Sequence, residues 1–202
     1  MNAKITHKAP SSDECYSLLE RYSVPEHIIQ HSEMVCRVAV FLAEHLNEQG
    51  KDLNIPEIRA AALLHDLTKM EGLVEGRDHA KSGNEVLAKL GFDRIGEIVA
   101  EHIKLKEKTG LHVLSEEEIL NYSDKRVMHT TVVSLADRFA DLKERYGGNG
   151  LDMNAMERIA RLEAKTYELE TRIFSTLDFT PEELPLLLEQ GEQEEVEHST
   201  LI

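Results

Sequence analysis

Apolar residues recur along this chain at intervals of three and four, and no stretch sustains the alternation of a half-buried strand. That periodicity restricts the chain to helices packed on one another, an all-α fold. Ser11-x-x-Glu14 is a capping box, and Leu18, Leu19 and Tyr22 follow it at helical spacing, which predicts a short first helix. Pro25 suits the first turn of a second helix reaching about Leu46, with His31, Val35, Val38, Leu42 and Leu46 on one stripe. From Pro56, the residues Ile58, Ala61, Ala62 and His65 fall at i, i+3, i+4 and i+7. Gly72 and Gly76 predict a loop, after which a helix starting near His79 carries Val86, Leu87 and Leu90 and stops at Gly91. From Asp93, the residues Ile95, Ile98, Val99 and His102 share one face. Ser115-x-x-Glu118 opens a helix aligning Leu120, Asp124 and Val127, and Val132 to Tyr146 is read as further helix, ended by Gly147-Gly148-Asn149-Gly150. Beyond it, Ala155, Ile159, Leu162, Thr166, Leu169 and Ile173 form the stripe of a long packing helix, and Thr180-Pro181-x-Glu183 starts a last short one.

At 202 residues, 41% of them hydrophobic and 30% charged, the chain can bury one core without disulfides or structural metals. Cys15 and Cys36 lack Cys-x-x-Cys spacing and read as reduced thiols. No apolar run is long enough to span a bilayer and the N-terminus lacks a signal-peptide core, so a cytoplasmic protein without a membrane partner is expected. A net charge of −15 repels a phosphate backbone, which argues against nucleic acid as partner. A small anionic substrate would need local compensation, and divalent metals can supply it. The expected organisation is an N-terminal helix over 1–23 packing on a core of 24–146, accessory helices over 151–190 and an acidic tail over 191–202. The accessory helices are left for packing, substrate selection or the contacts of a homodimer.

The stripes carry polar residues where leucines would be ordinary: His31, His65, His102 and Asp124 all count onto apolar faces. Leu63-Leu64-His65-Asp66-Leu67-Thr68-Lys69 places an imidazole, a carboxylate and a cation within two turns behind an apolar run. Burying such groups costs several kcal/mol unless they are paired or bind a metal. Two rivals share these faces: His27 lies one turn before His31, and Asp137, beside Arg138, counts inward from Val133. His7, His45, His112, His129 and His198 receive no role.

His31, His65-Asp66 and Asp124, each on its own helix, resemble the pattern of the HD superfamily of metal-dependent phosphohydrolases, in its HDIG-type branch. The resemblance spans about residues 24–127. His79-Ala80-x-x-Gly83 and Glu101-His102 match the elements that binuclear members add. The family's His-Asp-Ile-Gly-Lys reads His65-Asp66-Leu67-Thr68-Lys69 here, and Ile103 stands where a doubled histidine is frequent, so no third metal is expected. The Gly-Tyr-Pro signature of the cyclic-dinucleotide-cleaving branch is absent.

The resemblance implies a single HD-type helical domain with a C-terminal helical extension. Its metal ligands would be His31, His65, Asp66, His79, His102 and Asp124, holding one or two divalent transition metals (Fe, Mn, Zn or Ni). Asp66 would be catalytic by bridging the metals that activate water, and Lys69 would bind and neutralise the phosphoryl oxygens. The implied reaction is hydrolysis of a phosphoester or phosphoanhydride in a nucleotide-like small molecule, the partner expected for the site. The alternatives are a nucleotide-sensing module without turnover and a di-iron oxygenase built on a related cage.

Overall fold

A computed structural model describes residues 9–107, 113–147 and 152–191. The elements run α1 (Ser12–Arg21), α2 (Glu26–Glu48), α3 (Ile55–Leu64), α4 (Lys69–Glu75), α5 (His79–Lys89), α6 (Asp93–Val99), α7 (Glu116–Arg126), β1 (Val127–Met128), β2 (Thr131–Val132), α8 (Leu135–Tyr146) and α9 (Met153–Phe174). A further helix covers 184–191. Helices carry nearly all of the structure, as the periodicity requires. The breaker residues 148–150 and the acidic tail beyond Gly191 lie outside the described residues.

The starts follow local chemistry. Ser11 and Glu14 form the capping box of α1, Asn54 caps α3, Asp78 caps α5, Ser134 caps α8 and Asp152 caps α9, each satisfying helix N–H groups that have no partner within the helix. Val35, Val38, Ala39, Leu42, Ala43 and Leu46 bury one face of α2, which lies between α3 and α7. The helix α1 packs on α3, α6 bridges α3 and α5, and α9 joins α7 to α8. Gly96 in α6 allows the tight α5 to α6 crossing, because a Cβ there would come within 2.5 Å of Asn84 Oδ1 and 2.9 Å of its carbonyl oxygen. On the far side of α6, Arg94 binds Glu57 at 3.1 Å, Glu116 at 2.8 Å and Glu117 at 2.5 Å, tying α3, α6 and α7 together. Cys15 and Cys36 are both buried and free, and burial pushes their thiols up to about 12 and about 11. Among the described residues no helix is long and apolar enough to cross a membrane.

Four local expectations are corrected. The segment containing Gly72 is helix α4, not loop, and only Gly76 at its end adopts a left-handed conformation. The α6 helix ends at Val99, so His102 sits in the turn beyond it. Likewise α7 ends at Arg126. Val127 enters a two-stranded antiparallel hairpin, pairing with Val132 while Met128 pairs with Thr131, because three of these four residues are β-branched and flank the turn at His129 and Thr130. The helix read from Val132 therefore starts only at Leu135, behind the Ser134 cap.

Candidate metal centre

Six side chains from separate segments converge at one end of this frame in two groups of three: His31, His65 and Asp124, and Asp66, His79 and His102. Within each group one ligand atom per residue lies within 4.8 Å of the others. The first group is fully buried, and the second is buried apart from a half-buried His79. Every ligand candidate named from the sequence is brought into one of the two groups. The rivals are not: His27 is exposed, and Asp137 is exposed at the start of α8, where its carboxylate accepts a 2.6 Å hydrogen bond from the Ser134 hydroxyl. Arg138 pairs instead with Asp141 at 3.2 Å.

Helix ends deliver most of the groups. The α3 helix stops at Leu64, and the following turn presents His65 and Asp66 inward while Thr68 donates its hydroxyl to the His79 carbonyl at 2.9 Å. His79 opens α5. It reaches the cluster because Gly72 leaves room: a Cβ on Gly72 would stand 2.9 Å from His79 Cβ and 3.0 Å from the Arg77 carbonyl oxygen. Gly72→Ala is expected to displace His79 and lower occupancy of the second group alone, read as metal content per chain. Full metal with wild-type melting would remove this role from Gly72.

The backbone sets the tautomers. Nδ1 of His31 lies 2.9 Å from the His129 carbonyl oxygen, Nδ1 of His65 lies 2.8 Å from that of Ala62, and Nδ1 of His102 lies 2.7 Å from that of Val99. A carbonyl oxygen only accepts, so each Nδ1 carries a proton and donates it, and each Nε2 is left facing the centre, where in the neutral ring it offers a lone pair. There, His31 Nε2 stands 3.2 Å and His65 Nε2 3.7 Å from Asp124 Oδ1, while His65 Nε2 is 3.4 Å from Asp66 Oδ2. His79 Nε2 lies 3.2 Å from Asp66 Oδ1 and 3.1 Å from His102 Nε2. Two imidazole nitrogens so close repel unless a proton or a cation stands between them. Ligands about 2.1 Å from one ion are separated by about 3 to 3.4 Å, so these spacings fit donor sets already arranged for metal.

His65 Nε2 and Asp66 Oδ1, both buried, make no hydrogen bond among the described residues, although Asp66 Oδ2 stands 3.4 Å from the first and His79 Nε2 3.2 Å from the second. Such orphans call for a missing partner, and a divalent ion satisfies an imidazole nitrogen and a carboxylate oxygen together. The electrostatics agree. Burial opposes ionisation of Asp66, but His65, His79 and Lys69 hold it well below the usual carboxylate range. Asp124 is likewise held low against burial by Lys125 and His31. Burial, helped by His65, pushes His102 down to about 3, so it stays a neutral donor. For His65 burial also acts downward, but the Asp66 and Asp124 carboxylates outweigh it and the ring is raised.

Lys69 binds Asp66 Oδ2 at 2.6 Å and is partly exposed. Three supporting groups escaped the sequence reading. The His129 carbonyl orients His31 and owes its aim to a left-handed residue, φ 58°, in the hairpin turn. Lys125 donates to Asp124 Oδ2 and to the His102 carbonyl, both at 2.8 Å. Asn121 donates to the carbonyls of Glu101 and His102, both at 2.9 Å. A buried lysine and a buried asparagine on the stripe-bearing helix were the available signals, but the carbonyls they bind lie some twenty residues away.

An all-helical frame enclosing a buried histidine and aspartate centre defines the class. The model of the HD domain matches residues 28–142, and the chain belongs to that family. The chain is also similar to a tRNA (cytidine(56)-2′-O)-methyltransferase of Thermoplasma volcanium, 31% identical over 76% of this chain and 46% of the relative. A methyltransferase of the same description from Picrophilus torridus is 29% identical over 71% of the chain and 42% of the relative. An uncharacterized protein of Methanocaldococcus jannaschii is 26% identical over 61% of this chain and 80% of the relative. The chain thus spans a little under half the length of the methyltransferases it matches. No solved structure matches.

Proposed function

We propose that this chain hydrolyses a phosphoester or phosphoanhydride bond of a small nucleotide-like molecule with the help of one or two divalent transition ions. The observation that carries this reading is the pair of orphaned ligand atoms, His65 Nε2 and Asp66 Oδ1, inside two preformed donor triads. His31, His65 and Asp124 would hold one ion and His79 and His102 the other, with Asp66 offering an oxygen to each. The mixed imidazole and carboxylate set suits Fe, Mn, Zn or Ni. When bound, such ions lower the pKa of a coordinated water toward neutrality and neutralise charge on a phosphoryl group. The chain's own part is to hold the donors. The Nδ1 hydrogen bonds lock the rings, Lys125 keeps Asp124 ionised, and Lys69 places a partly exposed cation beside Asp66 for a phosphoryl oxygen.

The methyltransferase relatives favour a second reading, methyl transfer to tRNA. Transfer from a methyl donor to a hydroxyl has no use for six converging metal donors, and the matched region is less than half of those proteins. The deciding experiment purifies the protein without chelator, measures its metal, and screens nucleotides and model phosphodiesters alongside methyl transfer to tRNA and oxygen consumption. The expected result is phosphate-ester turnover that disappears on chelation and returns with metal. Full hydrolysis by chelated protein would sink the metal mechanism, and nucleotide binding without turnover would leave a sensing module.

Turnover is expected to fall as pH drops below about 6, since His31, His65 and His79 must be neutral to bind metal and an unperturbed imidazole titrates near 6.5. The sign follows from His65: its raised pKa means that the metal-free ring keeps its proton to higher pH, and metal must expel it. Excess metal should therefore restore part of the rate at low pH. A pH profile insensitive to metal concentration would move the limiting ionisation elsewhere.

A further inference from the structure

On the far side of the His102 backbone lies a second cavity of about 380 Å³, between the segment following His102 and α9. None of the six proposed metal ligands lines it. From α9 come Arg158, Arg161 and Lys165, at i, i+3 and i+7 and so on one helix face, and Lys104 faces them from the opposite wall. Leu105, Leu162 and Leu169 supply an apolar floor. The one carboxylate in the lining is Glu107, which pairs with Lys165 at 3.1 Å across the mouth, where both are exposed.

Four cations against one carboxylate is an unusual balance in a chain of net charge −15. Like charges repeated on one helix face repel one another; Arg158 has no ion-pair partner among the described residues, and Arg161 is held by an exposed pair with Glu157 at 2.7 Å, which water screens and a phosphate can displace. A bound polyanion removes that repulsion, and two guanidinium forks suit phosphate oxygens. The apolar floor leaves room for a flat ring beside the phosphates, and the volume falls within the range of small-molecule sites.

We propose that this cleft is a separate binding site for a nucleoside diphosphate or triphosphate, with Arg158, Arg161 and Lys104 on the phosphates and the leucine floor under the base. The ligand acts here as an effector and not at the reacting bond, because the metal donors lie elsewhere. Asn121, which lines the cleft and donates to the carbonyls of Glu101 and His102, ties its wall to the backbone that carries His102. The site stands whether or not the metal centre hydrolyses phosphate esters.

The test titrates ADP by calorimetry into the wild-type protein, the Arg158→Glu/Arg161→Glu double variant and Asp66→Ala. Saturable binding is expected in the wild type, weaker by about tenfold or more in the double variant with unchanged melting, and within about twofold of wild type in Asp66→Ala. Pyrophosphate should bind about tenfold more weakly than ADP, because it lacks the base. Lys104→Glu, on the other wall, carries the same test if the double variant melts early. The proposal is overturned by no saturation up to about 5 mM ADP, by binding that survives charge reversal, or by binding that disappears with Asp66. Pyrophosphate as tight as ADP would overturn the nucleoside assignment. Tight binding of tRNA in place of ADP, lost on the same charge reversals, would make the face an RNA surface instead.

Discussion

Asp66→Ala is expected to yield a folded protein that has lost the metal of both groups and whose hydrolytic rate is down by about a thousandfold or more. No other donor is placed this way: Oδ2 lies 3.4 Å from His65 Nε2, on the side of the first group, and Oδ1 lies 3.2 Å from His79 Nε2 and 3.8 Å from His102 Nε2. Removing it would take one ligand from each proposed ion and deprive Lys69 of its partner. His79→Ala and His102→Ala should behave differently, each leaving about one ion per chain because His31, His65 and Asp124 remain with Asp66 still beside them. Metal analysis on the three variants separates the cases. Wild-type stoichiometry in Asp66→Ala would take Asp66 out of the centre, and full metal in both histidine variants would make the site mononuclear.

The largest effect on stability is expected from Arg126→Ala. The guanidinium is buried, 2% exposed, and donates to the Val133 carbonyl at 2.7 Å, the Tyr122 hydroxyl at 2.5 Å, Glu170 at 3.2 Å and the Pro181 carbonyl at 2.8 Å. These bonds join the end of α7 to the hairpin, to α9 and to the chain entering the last helix. Truncation leaves Glu170 with the Tyr122 hydroxyl but no cation, and two carbonyl groups without this donor, a loss of about 3 to 5 kcal/mol for a broken buried ion pair. Denaturant unfolding should show a lower midpoint at an unchanged slope. A change below about 1 kcal/mol would show that water replaces the guanidinium. Because Arg126 is two residues from Asp124, metal content is expected to fall with stability, which Asp66→Ala does not predict.

Much of the centre was legible because a helix converts spacing into direction. His31, placed four residues before Val35, had to share its buried face, and the breakpoint at His65-Asp66 was visible as an apolar run ending in polar groups. His79 was found by its resemblance to a family motif rather than by periodicity, and His102 by both. His102 in fact lies beyond the end of α6, held by its bond to the Val99 carbonyl. Gly72 read as a loop signal, yet it sits inside α4, because what it answers to is the closeness of His79, seven residues on.

Local spacing and capping alone determined that this chain would be helical, where most helices begin, and which polar side chains would point inward. Those properties depend on contacts within one or two turns. Only the tertiary structure decided between His31 and His27 and between Asp124 and Asp137, since counting along a helix does not say which of two rival positions its neighbours cover: His27 and Asp137 are exposed. It also decided that the donors divide into two triads, with Asp66 of the second standing 3.4 Å from His65 of the first, and that a histidine carbonyl, a lysine and an asparagine hold them in place. Those relations join residues up to about a hundred positions apart, such as His31 and His129, and distances of that kind are set by how helices cross rather than by the sequence around either end.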